Sequence, residues 1–471
     1  MTTATATADL ERDLAKVLDH LDRNAAGRVE ELFDLLRIPS VSTLPDRTGD
    51  VRRAGERVRD ALARAGLEAR LFETPRHPIV HAEWKGAPGR PTVLVYGHYD
   101  VQPAEPLELW KTPAFEPDVR DGNIYARGAT DDKGQMYAWV KAAAAWMEAC
   151  GRLPVNVKFL IEGEEEIGSP NLEPFLHEQK DLLAADCVLI SDTDQFAEGI
   201  PAITYSLRGL LYTEIRVHGP SRDLHSGQFG GSLRNPANAL CEIIAGLKDP
   251  KTGRVLVDGF YDRVRPIEAW EREQLAKLPF DEPHYRADLA VPELYGEEGF
   301  STLERRWCRP TLDVNGIFGG FQGPGAKTII PAWAGAKVSM RLVADQKASE
   351  IAKGFERTVM RLAQEGVRVE VKGIGDGSDP VLVPIDTPWV QAAKRAVRRG
   401  FGADPIFKRE GGSIPIAITF KRLLGMDSVF VGYGLPDDGA HSPNEKMKLE
   451  DYHRGTRTSA ILLAEVAGSR D

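Results

Sequence analysis

Three apolar runs in this chain, VLVYGHYD at 93–100, FLIEGEEE at 159–166 and VLISDTD at 188–194, are built for burial, and each ends abruptly in histidine or carboxylates. Such runs, separated by stretches of helical periodicity, are the mark of strands covered on both faces in a mostly parallel α/β sheet. In an open sheet of that kind, ligands bind beyond the carboxyl ends of the strands. The polar ends therefore predict a site, and the apolar runs predict what holds it.

The spacing predicts helices near 8–23 and 27–37, a strand at 91–97, a helix over 134–150, a strand at 155–163, a helix near 170–183 and a strand at 186–192. From about residue 207 the order changes. Strand LLYTEIRVHG, helix NPANALCEIIAGL, strands TLDVNGI and GAKVSMRLV, helix QKASEIAKGFERTVMRLAQEG and strand VRVEVKG spell βαββαβ, the ferredoxin-like split unit. After about 383, helix TPWVQAAKRAVRRGFG and strand DSVFVGYG are suited to completing the first sheet. A chain of 471 residues is long for one core, so the expected division is a catalytic domain over 1–206 and 384–471, interrupted by an inserted domain over 207–383. An excursion at roughly 250–309, rich in Glu, Arg and Pro, carries no legible role.

Several function classes are excluded early. No apolar run approaches the roughly 18 residues that span a bilayer, and the N-terminal stretch reads as an amphipathic helix with Leu14, Val17, Leu18 and Leu21 on one face. A cytoplasmic address without membrane contact is the expectation. The net charge of −10, with no basic block or stripe, weighs against nucleic acid. Cys150, Cys187, Cys241 and Cys308 are scattered without a Cys-x-x-Cys pair, so buried thiols are expected and any metal must be held by His and carboxylates. The stretch GFQGPGAKT at 320–328 nearly spells a phosphate-binding loop, but Ala326 separates Gly325 from Lys327 and no helix pattern follows.

The strand ends supply His98, Asp100, Glu164, Glu165, Glu166, Asp192 and Asp194, to which RGATDDKG adds Asp131 and Asp132 and DDGAHSPNE adds His441. Carboxylates gathered on one rim repel and must protonate or find a cation. Two dications bound by three carboxylates and one hydroxide would leave a neutral site. His98 and Asp100 are two apart at a strand end and leave on the same face, so Asp100 is placed to hold the other nitrogen of a metal-bound imidazole.

The motifs GHYDVQP, RGATDDKGQ, EGEEEIGS, SDT, RDLHSGQFGG, GPGAKTIIP, MRLV, REGGSIP and DDGAHSPNE fall in order from residue 97 onward over nearly the whole chain. In this the sequence resembles the co-catalytic dinuclear metallopeptidases that include carnosine dipeptidase, carboxypeptidase G, aminoacylase and succinyl-diaminopimelate desuccinylase, with wording nearest the carnosine and cytosolic non-specific dipeptidases. The resemblance implies that His98, Asp131 and Asp192 bind one divalent ion and Asp131, Glu166 and His441 a second, two per subunit; mixed imidazole and carboxylate ligation accepts zinc, cobalt or manganese, and intrinsic affinity favours zinc. It implies Glu165 as general base, with Asp100 supporting, and a cis bond between Asp131 and Asp132. It also implies an inserted domain that acts as lid and homodimer surface. His225 would reach from one subunit into the other's active site to steady the oxyanion, while Arg341, Thr328 and the turn Gly411, Gly412 and Ser413 take the substrate's carboxylate. The expected reaction is amide hydrolysis of dipeptides by a metal-bridging hydroxide. A deacylase or carboxypeptidase acting on N-acyl amino acids is the alternative, and a non-catalytic binding module is the remote one. The remaining histidines, His20, His77, His81, His177, His218, His284 and His453, are read as packing or surface residues.

Overall fold

The computed structural model describes residues 3–373, 377–412 and 414–469. The chain forms two compact units, residues 1–205, 383–408 and 416–471 in the first and 206–382 with 409–415 in the second. Along the first unit run α1 (Thr3–Arg23), α2 (Ala25–Leu36), α3 (Thr48–Arg64), β1 (Glu68–Phe72), β2 (Ile79–Trp84), β3 (Thr92–His98), α4 (Lys133–Cys150), β4 (Asn156–Glu162), β5 (Cys187–Ile190) and β6 (Ala202–Leu207). The second contains β7 (Gly209–His218), α5 (Pro236–Gly246), β8 (Thr311–Gly319), β9 (Trp333–Leu342), α6 (Ala348–Leu362) and β10 (Arg368–Gly373). The chain then returns through α7 (Pro388–Phe401), β11 (Asp427–Phe430) and α8 (Leu449–Ala467).

The main sheet runs β1-β2-β4-β3-β5-β11-β6. Its four central strands, β4, β3, β5 and β11, are parallel in register, and antiparallel strands flank them on both sides. The hydrophobic side chains of β3, β4 and β5 are buried without alternation, as strands covered on both faces require. Helix α4 is enclosed nearly all round, with Trp139 and Trp146 fully buried, and its run of alanines lets neighbours approach closely. It ends at Gly151, whose φ of 66° is the left-handed cap that glycine adopts without strain. Helix α1 buries Leu14, Val17 and Leu21 and leaves Leu18 half-exposed, which follows the predicted stripe.

In the second unit the antiparallel order is β8-β9-β7-β10, the ferredoxin-like arrangement. Alternate residues of β7 (Leu211, Ile215, Val217) and β9 (Ala334, Ala336, Val338, Met340, Leu342) form the core with Leu240 and Ile243 of α5 and Phe355 and Val359 of α6. Residues 409–412 pack with this unit: Arg208 donates from Nε to the Gly411 carbonyl at 2.9 Å and from its backbone to the Gly412 carbonyl at 3.1 Å. The excursion contains short helices at Ala269–Ala276, Glu282–Asp288 and Thr302–Trp307. Its interior is ionic and aromatic as well as apolar. Glu297 binds Arg309 at 2.7 and 2.9 Å, and the Tyr261 ring lies 3.9 Å from the Arg254 guanidinium and 5.3 Å from that of Arg309.

Several features depart from the sequence expectation, helix α3 (Thr48–Arg64) among them. The β1–β2 hairpin was not legible, because β1 is a partly exposed edge strand with little alternation. The helix near 170–183 breaks into Leu172–Glu178 and Lys180–Leu183 at Gln179, whose φ and ψ of −109° and 27° are not helical. Cys187 and Cys308 are buried as expected, but Cys150 is half-buried and Cys241 exposed; all four are free thiols.

Candidate metal centre

The carboxyl ends of β3, β4 and β5 deliver their polar residues to one place. His98 closes β3 and is fully buried. The chain after β4 makes a short 3-10 turn, Glu165–Ile167, and Asp192 follows β5 by two residues. Asp131 precedes α4, and the Asp131–Asp132 peptide bond is cis. The helix start lies tight against this loop: a Cβ on Gly134 would stand 1.9 Å from the Ala129 carbonyl oxygen, so only glycine fits. His441 arrives from the C-terminal segment with a φ of 63°, in the left-handed region.

Two triads result, His98 with Asp131 and Asp192, and Asp131 with Glu166 and His441, each with ligand atoms within 4.8 Å of one another. Asp131 belongs to both. His441 Nε2 is 2.9 Å from Asp131 Oδ2 and 3.3 Å from Glu166 Oε2. His98 Nε2 is buried, 3.2 Å from Asp131 Oδ1, and makes no hydrogen bond. A buried ring nitrogen without a partner, aimed at carboxylate oxygens, is what a coordinating imidazole needs. Mixed imidazole and carboxylate donors in this number fit divalent zinc, cobalt or manganese.

The electrostatics demand a cation. Burial pushes Asp192 up to about 7, and neighbouring Asp131 adds to the shift. Burial likewise drives Glu165 well above the usual carboxylate range; His98 opposes the shift, while Asp192 and Glu166 reinforce it. Hydrogen bonds to Asp131 and Glu166 raise His441 to about 10. Burial opposes charge on His98, but Asp100 and Asp131 overcome it and hold the imidazole well above its ordinary value. Protons thus stand where the charge of metal ions would otherwise stand.

Asp100 does more than its spacing from His98 suggested. His98 Nδ1 lies 3.1 Å from the Asp100 carbonyl oxygen and 3.4 Å from its carboxylate. That carboxylate also accepts the backbone N–H groups of Glu165 at 3.3 Å and Glu166 at 3.1 Å. One buried side chain therefore orients the imidazole and the acidic turn together. Gln102, inside the quoted GHYDVQP motif but given no role, donates to Glu166 Oε2 at 2.8 Å. Glu164 turns away from the triads and accepts from Thr74, the His77 N–H and Asn171.

The other expected site residues lie in the second unit. His225 and Thr328 meet where the two-residue strands Leu224–His225 and Ile329–Ile330 pair, Ser226 N–H donating to the Thr328 carbonyl at 3.0 Å. His225 Nδ1 accepts from Gly227 N–H at 3.0 Å. The neutral ring then carries its proton on Nε2 as a donor. Arg341 and Arg208 line a cavity of about 770 Å³, with Tyr212 and Tyr285 also on its wall, within the roughly 300–1,000 Å³ range of small-ligand sites. Gly411 and Gly412 are gripped by Arg208, and Ser413 lies outside the described residues. The exposed stretch 320–328 leads into Ile329–Ile330 rather than a helix, which removes the phosphate-loop context.

The description of peptidase family M20/M25/M40 matches residues 94–465. The chain is similar to human Beta-Ala-His dipeptidase, 34% identical with 96% of this chain and 93% of the relative covered. It is also similar to the Cys-Gly metallodipeptidase dug1 of Schizosaccharomyces pombe, at 33% with 97% and 99% covered. Among solved structures, the M20 family metallo-carboxypeptidase Sso-CP2 from Sulfolobus solfataricus superposes with a TM-score of 0.83 at 32% identity, covering 93% of this chain and 99% of that one.

Proposed function

This chain belongs to peptidase family M20/M25/M40, and from that premise we propose that its two triads bind two divalent ions, zinc foremost, for the hydrolysis of dipeptides. It is a metal-dependent peptidase of the dipeptidase type. The observation that carries the site assignment is the sharing of Asp131 between two ligand sets, with half-buried Glu165 beside them. Ions held by His98, Asp131, Asp192, Glu166 and His441 would supply Lewis acidity toward an amide carbonyl and acidify a bound water.

The side chains supply the rest. Glu165 takes the proton of the attacking water and returns it to the leaving amine. Asp100 fixes the direction of His98 and of the Glu165–Glu166 backbone. In the second unit, His225 presents its Nε2–H to the developing oxyanion, reaching across a homodimer. Arg341 pairs with the substrate's C-terminal carboxylate through a two-point contact, and Thr328, Gly411, Gly412 and Ser413 complete the cradle. The second unit serves as lid and dimer surface. Among the described residues no helix is long and apolar enough to cross a membrane. A cytoplasmic setting is part of the proposal, supported by four cysteines kept as thiols.

The likeness to a metallo-carboxypeptidase supports a second reading, a deacylase or carboxypeptidase acting on N-acyl amino acids. One screen separates the two. Metal-stripped protein, refilled in turn with zinc, manganese and cobalt, is offered a panel of dipeptides and N-acyl amino acids. Turnover confined to dipeptides supports the first reading, and turnover confined to N-acyl substrates overturns it.

A further inference from the structure

Four residues after His441 lies Glu445, fully buried, and both of its carboxylate oxygens face the loop that carries Asp131. Oε1 accepts the backbone N–H groups of Thr130 at 3.0 Å and Asp131 at 3.1 Å. Oε2 accepts the Gly128 N–H at 2.9 Å and Arg127 Nη1 at 2.7 Å. Arg127, itself 1% exposed, anchors the far side by donating to the Pro103 carbonyl at 3.1 Å. Three residues before His441, buried Asp438 accepts from Thr130 Oγ1 at 3.1 Å and from the Leu435 N–H at 2.8 Å. The two acids that flank His441 in sequence thus hold the 127–131 loop at four of its residues.

We propose that Glu445 and Asp438 are positioning residues for the reaction, fixing the spacing between Asp131 and His441 and so the ion held between them. The inference rests on the reading that Asp131 and His441 share a metal ion. His441 has an exposed side chain and a left-handed backbone, so little local packing fixes its place. Asp131 sits on a loop without helix or strand hydrogen bonds of its own. Strand Lys446–Lys448 pairs with Asn123–Tyr125, and the Ala126 N–H donates to the Glu445 carbonyl at 3.2 Å. Beyond that ladder the two buried carboxylates carry the connection on to Thr130 and Asp131, and a carboxylate receiving several N–H donors is a directional restraint as well as a stabilising one.

Glu445→Gln keeps the shape but turns one oxygen into an NH₂ group. Whichever way the amide faces, two buried donors lose their acceptor. Three readouts follow on the folded full-length variant: zinc dissociation constants by chelator competition, the visible spectrum after cobalt substitution, and kcat and KM at saturating zinc. Loss of a residue that orients metal ligands typically weakens metal binding or activity by about 10- to 100-fold. The expected result is at least a tenfold rise in the dissociation constant of one ion, an altered cobalt spectrum, and a fall in kcat with KM within about twofold.

Asp438→Asn is measured in parallel, and decides the matter alone if Glu445→Gln does not fold. Variants that melt at lower temperature yet keep both zinc constants, the cobalt spectrum and kcat would overturn the proposal and leave the acids with a purely structural role. Wild-type protein that takes up fewer than two ions would instead overturn the metal assignment beneath it.

Discussion

Stripping the metal should leave the site protonated, and refilling it should release those protons. In the metal-free protein His98 is held well above its ordinary value and His441 at about 10, so both imidazoles carry a proton at pH 7. Asp192, raised to about 7, is half-protonated there. Ligands must be neutral imidazole and ionised carboxylate to bind, so two ions displace at least the two ring protons at pH 7, with Asp192 and Glu165 adding to the release as they ionise. The sign is fixed by linkage: because the metal-free state holds more protons, affinity strengthens as pH rises. The combined two-ion association constant should climb by at least about 100-fold per pH unit near neutrality. Titration calorimetry of zinc into stripped protein, repeated in buffers of different ionisation enthalpy, counts the protons directly. Release of fewer than one proton with both ions bound would refute the reasoning, since the imidazoles would then already be neutral before metal arrives.

Glu165→Gln should lower kcat by at least about 100- to 10,000-fold, the usual scale for a general base, while elemental analysis still finds the wild-type metal content; appreciable turnover would dismiss Glu165 from that role. Separately inactive His225→Ala and Glu165→Ala proteins should regain activity when mixed under conditions that exchange subunits, and hybrids that form without activity would place His225 in its own subunit's chemistry. His81 lies on β2 beside Phe72, with neither ring nitrogen hydrogen-bonded, and burial lowers it to about 4. Its folded value is below its unfolded value of about 6.5, so stability is full above that pH and falls as pH drops toward 4, by about 3 kcal/mol in all. His81→Phe should flatten the denaturant-measured stability between pH 7 and pH 4.5, and an unchanged slope would assign acid sensitivity elsewhere.

Much of this site could be read from sequence because its parts are local. Burial on both faces makes a strand apolar throughout, so the points where VLVYGHYD, FLIEGEEE and VLISDTD turn polar mark the strand ends themselves. The split unit was legible for a related reason, since β7 buries every second residue and the apolar core residues of β9 also fall at every second position. The excursion was not, because its interior relies on arginine, glutamate and aromatic rings that also read as surface.

What the sequence by itself determined was the inventory: which strands are covered, and which imidazoles and carboxylates stand at their ends. Only the tertiary structure decided how the acids divide their work. Glu162 accepts from Tyr96 and Ser169, Glu164 from Thr74 and Asn171, and only Glu165 and Glu166 of that run turn toward the triads. Asp100 reaches across to an acidic turn 65 residues away, and Glu445 to a loop more than three hundred residues before it. A carboxylate leaves no periodic trace of its partner. Its direction is set by donors that folding alone brings within 3 Å of it.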